Sequence, residues 1–241
     1  MYLSTIRIEN FKNISKAIVN LNPAINCFVG ENGSGKTNLM DAIFILCLTK
    51  SAFGASDSQC INFNSSYFRV EGIFKPHGEN AKSVVVDCAY SSETKRIFRY
   101  NSIEYDRISE HIGRLPLVMV APDDTDLIRE GNEIRRKFFD GILCQMNAEY
   151  LQNLMVYNHL LKQRNAVLKQ DKPAVDLIHL YDDKLIPLAI QLANTRSKFI
   201  EEFMPCFKVK YNYIASEKEV PLVSYISGAL DENFKVKFSN A

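Results

Sequence analysis

Residues 29–38 read VGENGSGKTN, and Gly30, Glu31, Asn32, Gly33, Ser34, Gly35, Lys36 and Thr37 satisfy the pattern G-x-x-x-x-G-K-[ST] at every position. Few folds can accommodate such a stretch. Its glycines let the backbone turn through conformations closed to other residues, so that successive N–H groups converge on one anion. A helix must follow, adding its positive N-terminal end, and a strand is expected before it. Lys36 is then expected to reach the β- and γ-phosphates of a nucleotide, and the Thr37 hydroxyl to ligate Mg²⁺. The flanks agree with this demand. INCFVG, 25–30, reads as a buried strand, and KTNLMDAIFILCLTK, 36–50, reads as a helix. That helix carries Leu39, Ile43, Leu46 and Cys47 on one face with Met40 and Phe44 beside them, so other elements should cover it.

The rest of the first 122 residues reads mostly as strands. YLSTIRIENF and KAIVNL alternate, and YFRVEGIFK, SVVVDCAY and RIFRYN suggest an antiparallel meander. Residues 123–207 read as helical. Asn147 is an expected N-cap, followed by Tyr150, Leu154, Tyr157, Leu161 and Leu168 at three- and four-residue steps. After QDKP, a second stripe runs through Tyr181, Leu185, Leu188, Leu192, Phe199 and Phe203, with Pro187 expected to kink it and Pro205 to end it. Two such stripes describe an antiparallel helical hairpin, and a helical lid fits the spacing as well. In 208–241 the alternating FKVKYNYI (which begins at Phe207) and NFKVKFSNA read as strands returning to the first lobe, and the chain reads as interrupted after them.

Charge is balanced, 29 basic against 28 acidic residues, so no global field points to nucleic acid or a membrane. The longest apolar run, AIFILCL, is too short to span a bilayer. Six cysteines without a CxxC pair or histidines at zinc-ligand spacing suggest a reduced, cytoplasmic compartment. Hydrolysis would need a second buried strand ending in an acid. Asp87 ends an apolar run but sits in a meander strand, and Pro122 stops the other run before Asp123 and Asp124, so neither makes a convincing site.

The opening MYLSTIRIENFKNI and the stretch GENGSGKTNLMDAI resemble the SMC-like branch of ABC ATPases. The block APDDTDLIREGNEIRRKFFDGILCQMNAEYLQNLMVYNHLLKQRNAVLK is similar to the RecF family within that branch. The resemblance is close over 1–14, 25–50 and 117–169. It implies an α/β P-loop ATPase head with an antiparallel β meander and a helical hairpin arm, binding ATP and Mg²⁺. It implies DNA repair at duplex next to single-strand gaps, partners of the RecR and RecO type, and an ATP-dependent homodimer in the full-length protein, with no membrane. Family analogy also places Lys12, Asn13 and Asp123 beside the nucleotide.

In that family the ABC signature and Walker B acids follow the arm, and no such motif follows Ile214 here; Ser227–Gly228 reads as a turn. The expectation is a chain that binds ATP weakly and does not turn it over. Arg135, Arg136, Lys162 and Arg164 are candidate DNA-phosphate contacts, with a solvated helix face as the alternative. The four histidines form no constellation. Two other readings stay open: another short-arm SMC-like ATPase, and a P-loop kinase with a helical lid.

Overall fold

A computed structural model describes residues 1–77, 82–94, 96–216 and 219–239, the side chains of Asp123 and Ser239 excepted. Two compact units divide the chain, Met1–Pro122 and Asp123–Ala241.

The first unit is built on six antiparallel strands: β1 (Tyr2–Phe11), β2 (Ile14–Asn20), β3 (Tyr67–Lys75), β4 (Val84–Ser91), β5 (Ile97–Tyr100) and β6 (Ile103–Glu104), in the order β2-β1-β3-β4-β5-β6. Alternation decides the two faces. Ile6, Ile8, Phe68, Val70, Val86, Cys88 and Phe98 point inward and are buried, and helix α1 (Lys36–Leu48) lays Leu39, Ala42, Ile45 and Leu46 against them. Gly72 permits the close approach, since a Cβ there would lie 2.7 Å from Leu46 Cδ1. On the outer face Arg69 bonds Glu71 (3.0 Å) and Asp87 (2.6 Å), and Arg99 bonds Asp87 (3.1 Å). Asp87 is thus a cross-strand partner inside the meander.

The C-terminal end of α1 is closed by a buried histidine. His111 donates from Nε2 to Leu46 O (2.8 Å), one of the carbonyls a helix end leaves unpaired, and its Nδ1 accepts from Tyr105 Oη (3.1 Å). Burial pushes the imidazole down to about 4, which keeps it neutral in this tautomer.

One strand expected from the sequence is not formed. Residues 25–30 carry no ladder, with Ile25 81% and Val29 94% exposed. Their apolar run has no neighbouring strand among the described residues, so composition alone does not make it a strand.

The second unit is helical: α2 (Asp126–Arg129), α3 (Asn132–Met146), α4 (Ala148–Leu168), α5 (Val175–Ala215) and α6 (Phe234–Ser239). Asn147 caps α4, its Oδ1 accepting from Tyr150 N at 3.0 Å. α4 and α5 pack as an antiparallel hairpin, pinned near one end by Gln191–Glu149 (2.8 Å) and near the other by Arg164–Asp182 (2.5 Å). Three helices meet at one clamp. Arg196 of α5 grips both carboxylate oxygens of Asp140 on α3 (2.8 and 2.9 Å), and Tyr150 of α4 donates to the same group (2.5 Å).

α5 runs unbroken through Pro187 and Pro205, so neither the expected stop nor a boundary at residue 207 is observed. A ladder of rings, Phe199, Phe203 and Phe207 stacked and Tyr211 tilted against the last, 5.2–6.0 Å apart at four-residue steps, carries the helix past Pro205. FKVKYNYI is therefore helical rather than a strand; its alternation also satisfies the i, i+4 rule. The same holds for NFKVKFSNA over its described part, where the rings of Phe234 and Phe238 meet at a tilt, 5.4 Å apart, along α6. Among the described residues no helix is long and apolar enough to cross a membrane.

Candidate functional site

The glycine-rich stretch forms a loop leading straight into α1. Gly33 (φ 81°) and Gly35 (φ 100°) occupy the left-handed region, which a side chain would strain. Gly30 is close to the loop's own side chains instead: a Cβ there would meet Ser34 Oγ at 2.9 Å, so the hydroxyl would have to turn away. Gly35 is the N-cap of α1 and no side chain caps it, so the first N–H groups of the helix, those of Lys36, Thr37 and Asn38, have no side-chain acceptor. With the helix dipole behind them, they form a donor set for an anion. Lys36 Nζ lies over the loop, donating to Gly30 O (2.7 Å) and Glu31 O (2.8 Å), and Thr37 is exposed. The donors, the left-handed glycines and the single ammonium fit the phosphates of a nucleotide.

The turn between β1 and β2 is docked onto this loop. Asn13 donates from Nδ2 to Gly33 O (2.7 Å) and accepts from Asn38 Nδ2 (2.8 Å), so one side chain ties the loop to the first turn of α1. A Cβ on Gly35 would come within 3.0 Å of Asn13 Oδ1. Lys12 adopts φ 51° and turns the other way, its Nζ donating to Asp41 Oδ2 at 2.6 Å. Asp41 is fully buried on α1 and also accepts from Ser51 Oγ (2.8 Å) and Ala52 N (2.7 Å). Lys12 is further held over the rings of Phe11 and Phe53, 5.7 and 5.5 Å from their centroids. Asn62 completes the mount, donating to Lys12 O (2.7 Å) from its side chain and to Asn10 O (2.7 Å) from its backbone.

Of the three residues expected beside the nucleotide, Asn13 touches the loop and Lys12 is held by Asp41. Asp123 falls in the 3₁₀ turn Pro122–Thr125, and its side chain lies outside the described residues. Asp41 was missed by sequence reasoning. It is the lone acid in the apolar helix LMDAIFIL, and that position was itself the signal.

The arm residues separate as sharply. Arg164 is buried and paired with Asp182, with Phe238 5.1 Å from its guanidinium carbon, so it clamps the hairpin instead of facing phosphate. Arg135 donates to Leu127 O (3.1 Å), Glu130 O (2.9 Å) and Asn132 Oδ1 (2.7 Å), joining α3 to the end of α2. Arg136 and Lys162 are exposed. Among the described residues no group of three or more His, Cys, Asp or Glu side chains could hold a metal ion. Burial pushes the Cys47 thiol up to about 12 and those of Cys60 and Cys88 up to about 11.

A model of the AAA domain family matches residues 5–230. The DNA replication and repair protein RecF of Phocaeicola vulgatus is 39% identical over 95% of this chain and 62% of its own length. That of Cytophaga hutchinsonii is 38% identical over all of this chain and 64% of its own. The chain thus spans less than two thirds of these relatives. A solved structure of the recombination mediator protein RecF-ATPrS in the RecFOR pathway superposes with a TM-score of 0.87 at 26% identity, over 99% of this chain and 66% of that one.

Proposed function

Since the chain belongs to the AAA domain family and its homologues are RecF DNA replication and repair proteins, we propose that its loop 30–37 binds ATP within a RecF-type repair protein. One observation carries the reading. Two glycines in the left-handed region lead into a helix with no side-chain cap at its N-terminus, with one lysine poised over the turn. Lys36 neutralises β- and γ-phosphate charge, the N–H groups at the start of α1 orient the phosphate chain, and Thr37 holds Mg²⁺. ATP supplies the charge that these groups collect. Asn13 shapes the loop through its bonds to Gly33 and Asn38.

The remaining roles extend to the longer protein that the relatives represent. They are binding of duplex DNA next to single-strand gaps, aid to recombinase loading with RecO- and RecR-type partners, ATP-dependent dimerisation and a cytoplasmic location. Lys162, exposed on α4, is the candidate phosphate contact proposed for the duplex. Calorimetric titration with Mg·ATP tests the core of the proposal. Saturable binding that Lys36→Ala weakens by an order of magnitude or more supports it. Binding indifferent to that change refutes it. Steady-state turnover by this chain that Lys36→Ala abolishes would overturn the expectation of binding without hydrolysis.

A further inference from the structure

The second unit contains a cavity of about 500 Å³ with an apolar floor and a cationic rim. Phe139 and Phe199 lie on its floor, and Arg135, Arg136 and Arg196 line it with no carboxylate among the lining residues. Only Arg196 is neutralised, by Asp140. Arg135 spends its fork on uncharged oxygens, and Arg136 has no hydrogen-bond or ion-pair partner among the described residues. The neighbouring Glu133 is bonded to Lys137 at 2.8 Å. Among the described residues neither Arg135 nor Arg136 forms an ion pair, and Glu133, which Lys137 holds, is the acid that Arg136's charge reaches.

The third wall is a segment of bare backbone. Residues 220–226 are extended, and among the described residues none of them makes a backbone–backbone hydrogen bond. Residues 222–226 all line the cavity, and their exposure alternates, with Val223 and Tyr225 half-buried and Leu222 (81%) and Ile226 (90%) exposed. An unpaired extended edge with alternating apolar side chains is what strand addition requires.

We propose that this cleft binds an extended acidic peptide. The peptide adds as a strand along 220–226, seats one large apolar side chain between Phe139 and Phe199, and sets carboxylates against Arg135 and Arg136. The charge imbalance selects acid, the floor selects an apolar anchor, and the free backbone selects an extended chain. A nucleic-acid backbone would satisfy the arginines and leave the floor and the strand edge unused. The proposal is independent of the nucleotide reading, because no residue of loop 30–37 takes part.

The probe is a fluorescein-labelled peptide, Asp-Glu-Phe-Asp-Ile-Glu, titrated with the chain and followed by fluorescence anisotropy. Saturable binding is expected, about tenfold weaker for Arg136→Glu and for Ile226→Asp. Replacing the peptide's Phe by Ala should weaken it similarly, and raising the salt should weaken it further. Both substituted protein residues are exposed, so circular dichroism should report an unchanged fold. No saturable binding, or equal binding by all variants, overturns the proposal. So does displacement of the peptide by a short DNA duplex whose own binding Arg136→Glu abolishes, which would assign the arginines to phosphate. Self-association that Ile226→Asp abolishes in sedimentation would overturn it in favour of a second copy of the chain.

Discussion

Asp41→Asn exchanges one oxygen of a buried carboxylate for an amide nitrogen at the point where α1, the β1–β2 turn and the 51–53 loop meet. The carboxylate is fully buried and accepts three bonds, from Lys12 Nζ, Ser51 Oγ and Ala52 N. The amide keeps one acceptor oxygen and turns two donors toward groups that are themselves donors. It also strips the counter-charge from Lys12, whose side chain is only 16% exposed. Removing one partner of a buried pair costs about 3–5 kcal/mol, and the retained oxygen together with the partial solvation of Lys12 brings this to about 3 kcal/mol. For a cooperative unit the size of Met1–Pro122 that lowers the melting midpoint by roughly 10–15 °C. Thermal denaturation followed by far-ultraviolet circular dichroism measures it, with urea unfolding as a second reading. Lys12→Met in the Asp41→Asn background should recover about 1–2 kcal/mol, because the stranded ammonium is then gone. A midpoint shifted by less than about 2 °C, or strict additivity of the two changes, would refute the placement of Asp41 as a charged hub.

Asn13→Ala removes two hydrogen bonds that brace the loop, about 1–2 kcal/mol in all at this exposed site; Mg·ATP affinity should fall about five- to tenfold and the melting midpoint by roughly 3–8 °C. His111 is held well below its ordinary value by burial, so the unfolded chain binds the extra proton between pH 6.5 and about 4. Stability should be level above pH 6.5 and fall by up to about 3 kcal/mol toward pH 4, a slope that His111→Gln flattens in urea titrations across that range. Asp182→Ala leaves Arg164 buried without its carboxylate and should destabilise the hairpin by about 3 kcal/mol, read as a loss of helical signal at lower temperature. Replacing both partners with apolar residues, Arg164→Met together with Asp182→Leu, should cost less than Asp182→Ala alone, because no buried charge is then left unpaired.

The phosphate loop, α1, the meander and the Asn147 cap were all legible because each is specified by neighbours within a few positions. A glycine pattern, a 3.6-residue stripe, a two-residue alternation and an asparagine before an apolar run carry their own geometry. The failures share the opposite property. Residues 25–30 are apolar enough for a strand, but a strand also needs a partner, and no local pattern supplies one. FKVKYNYI satisfies both the two-residue and the four-residue rule, and the aromatic ladder starting at Phe199 decides between them from outside the segment. Arg164 was read as a surface cation because Asp182, its partner across the hairpin, lies 18 positions away. The Lys12–Asp41 pair is hidden from local pattern in the same way, its partners standing 29 positions apart. Charge is written in the sequence, whereas its neutralisation is a property of the fold.

The helix Val175–Ala215 has 41 residues, which at 1.5 Å each makes a rod about 60 Å long. Such a rod converts angle into distance: a tilt of about 10° around one end carries the other through about 10 Å. Arg196 and its grip on Asp140 sit near the midpoint, so the fulcrum lies where three helices are locked together. Pro187 and Pro205 stand on either side of it, each removing one rung of the ladder, and mark where the rod bends first under load. A slight change of seating at the carboxylate would thus be read at the helix ends as a displacement of several ångströms, large enough to make or break a side-chain contact.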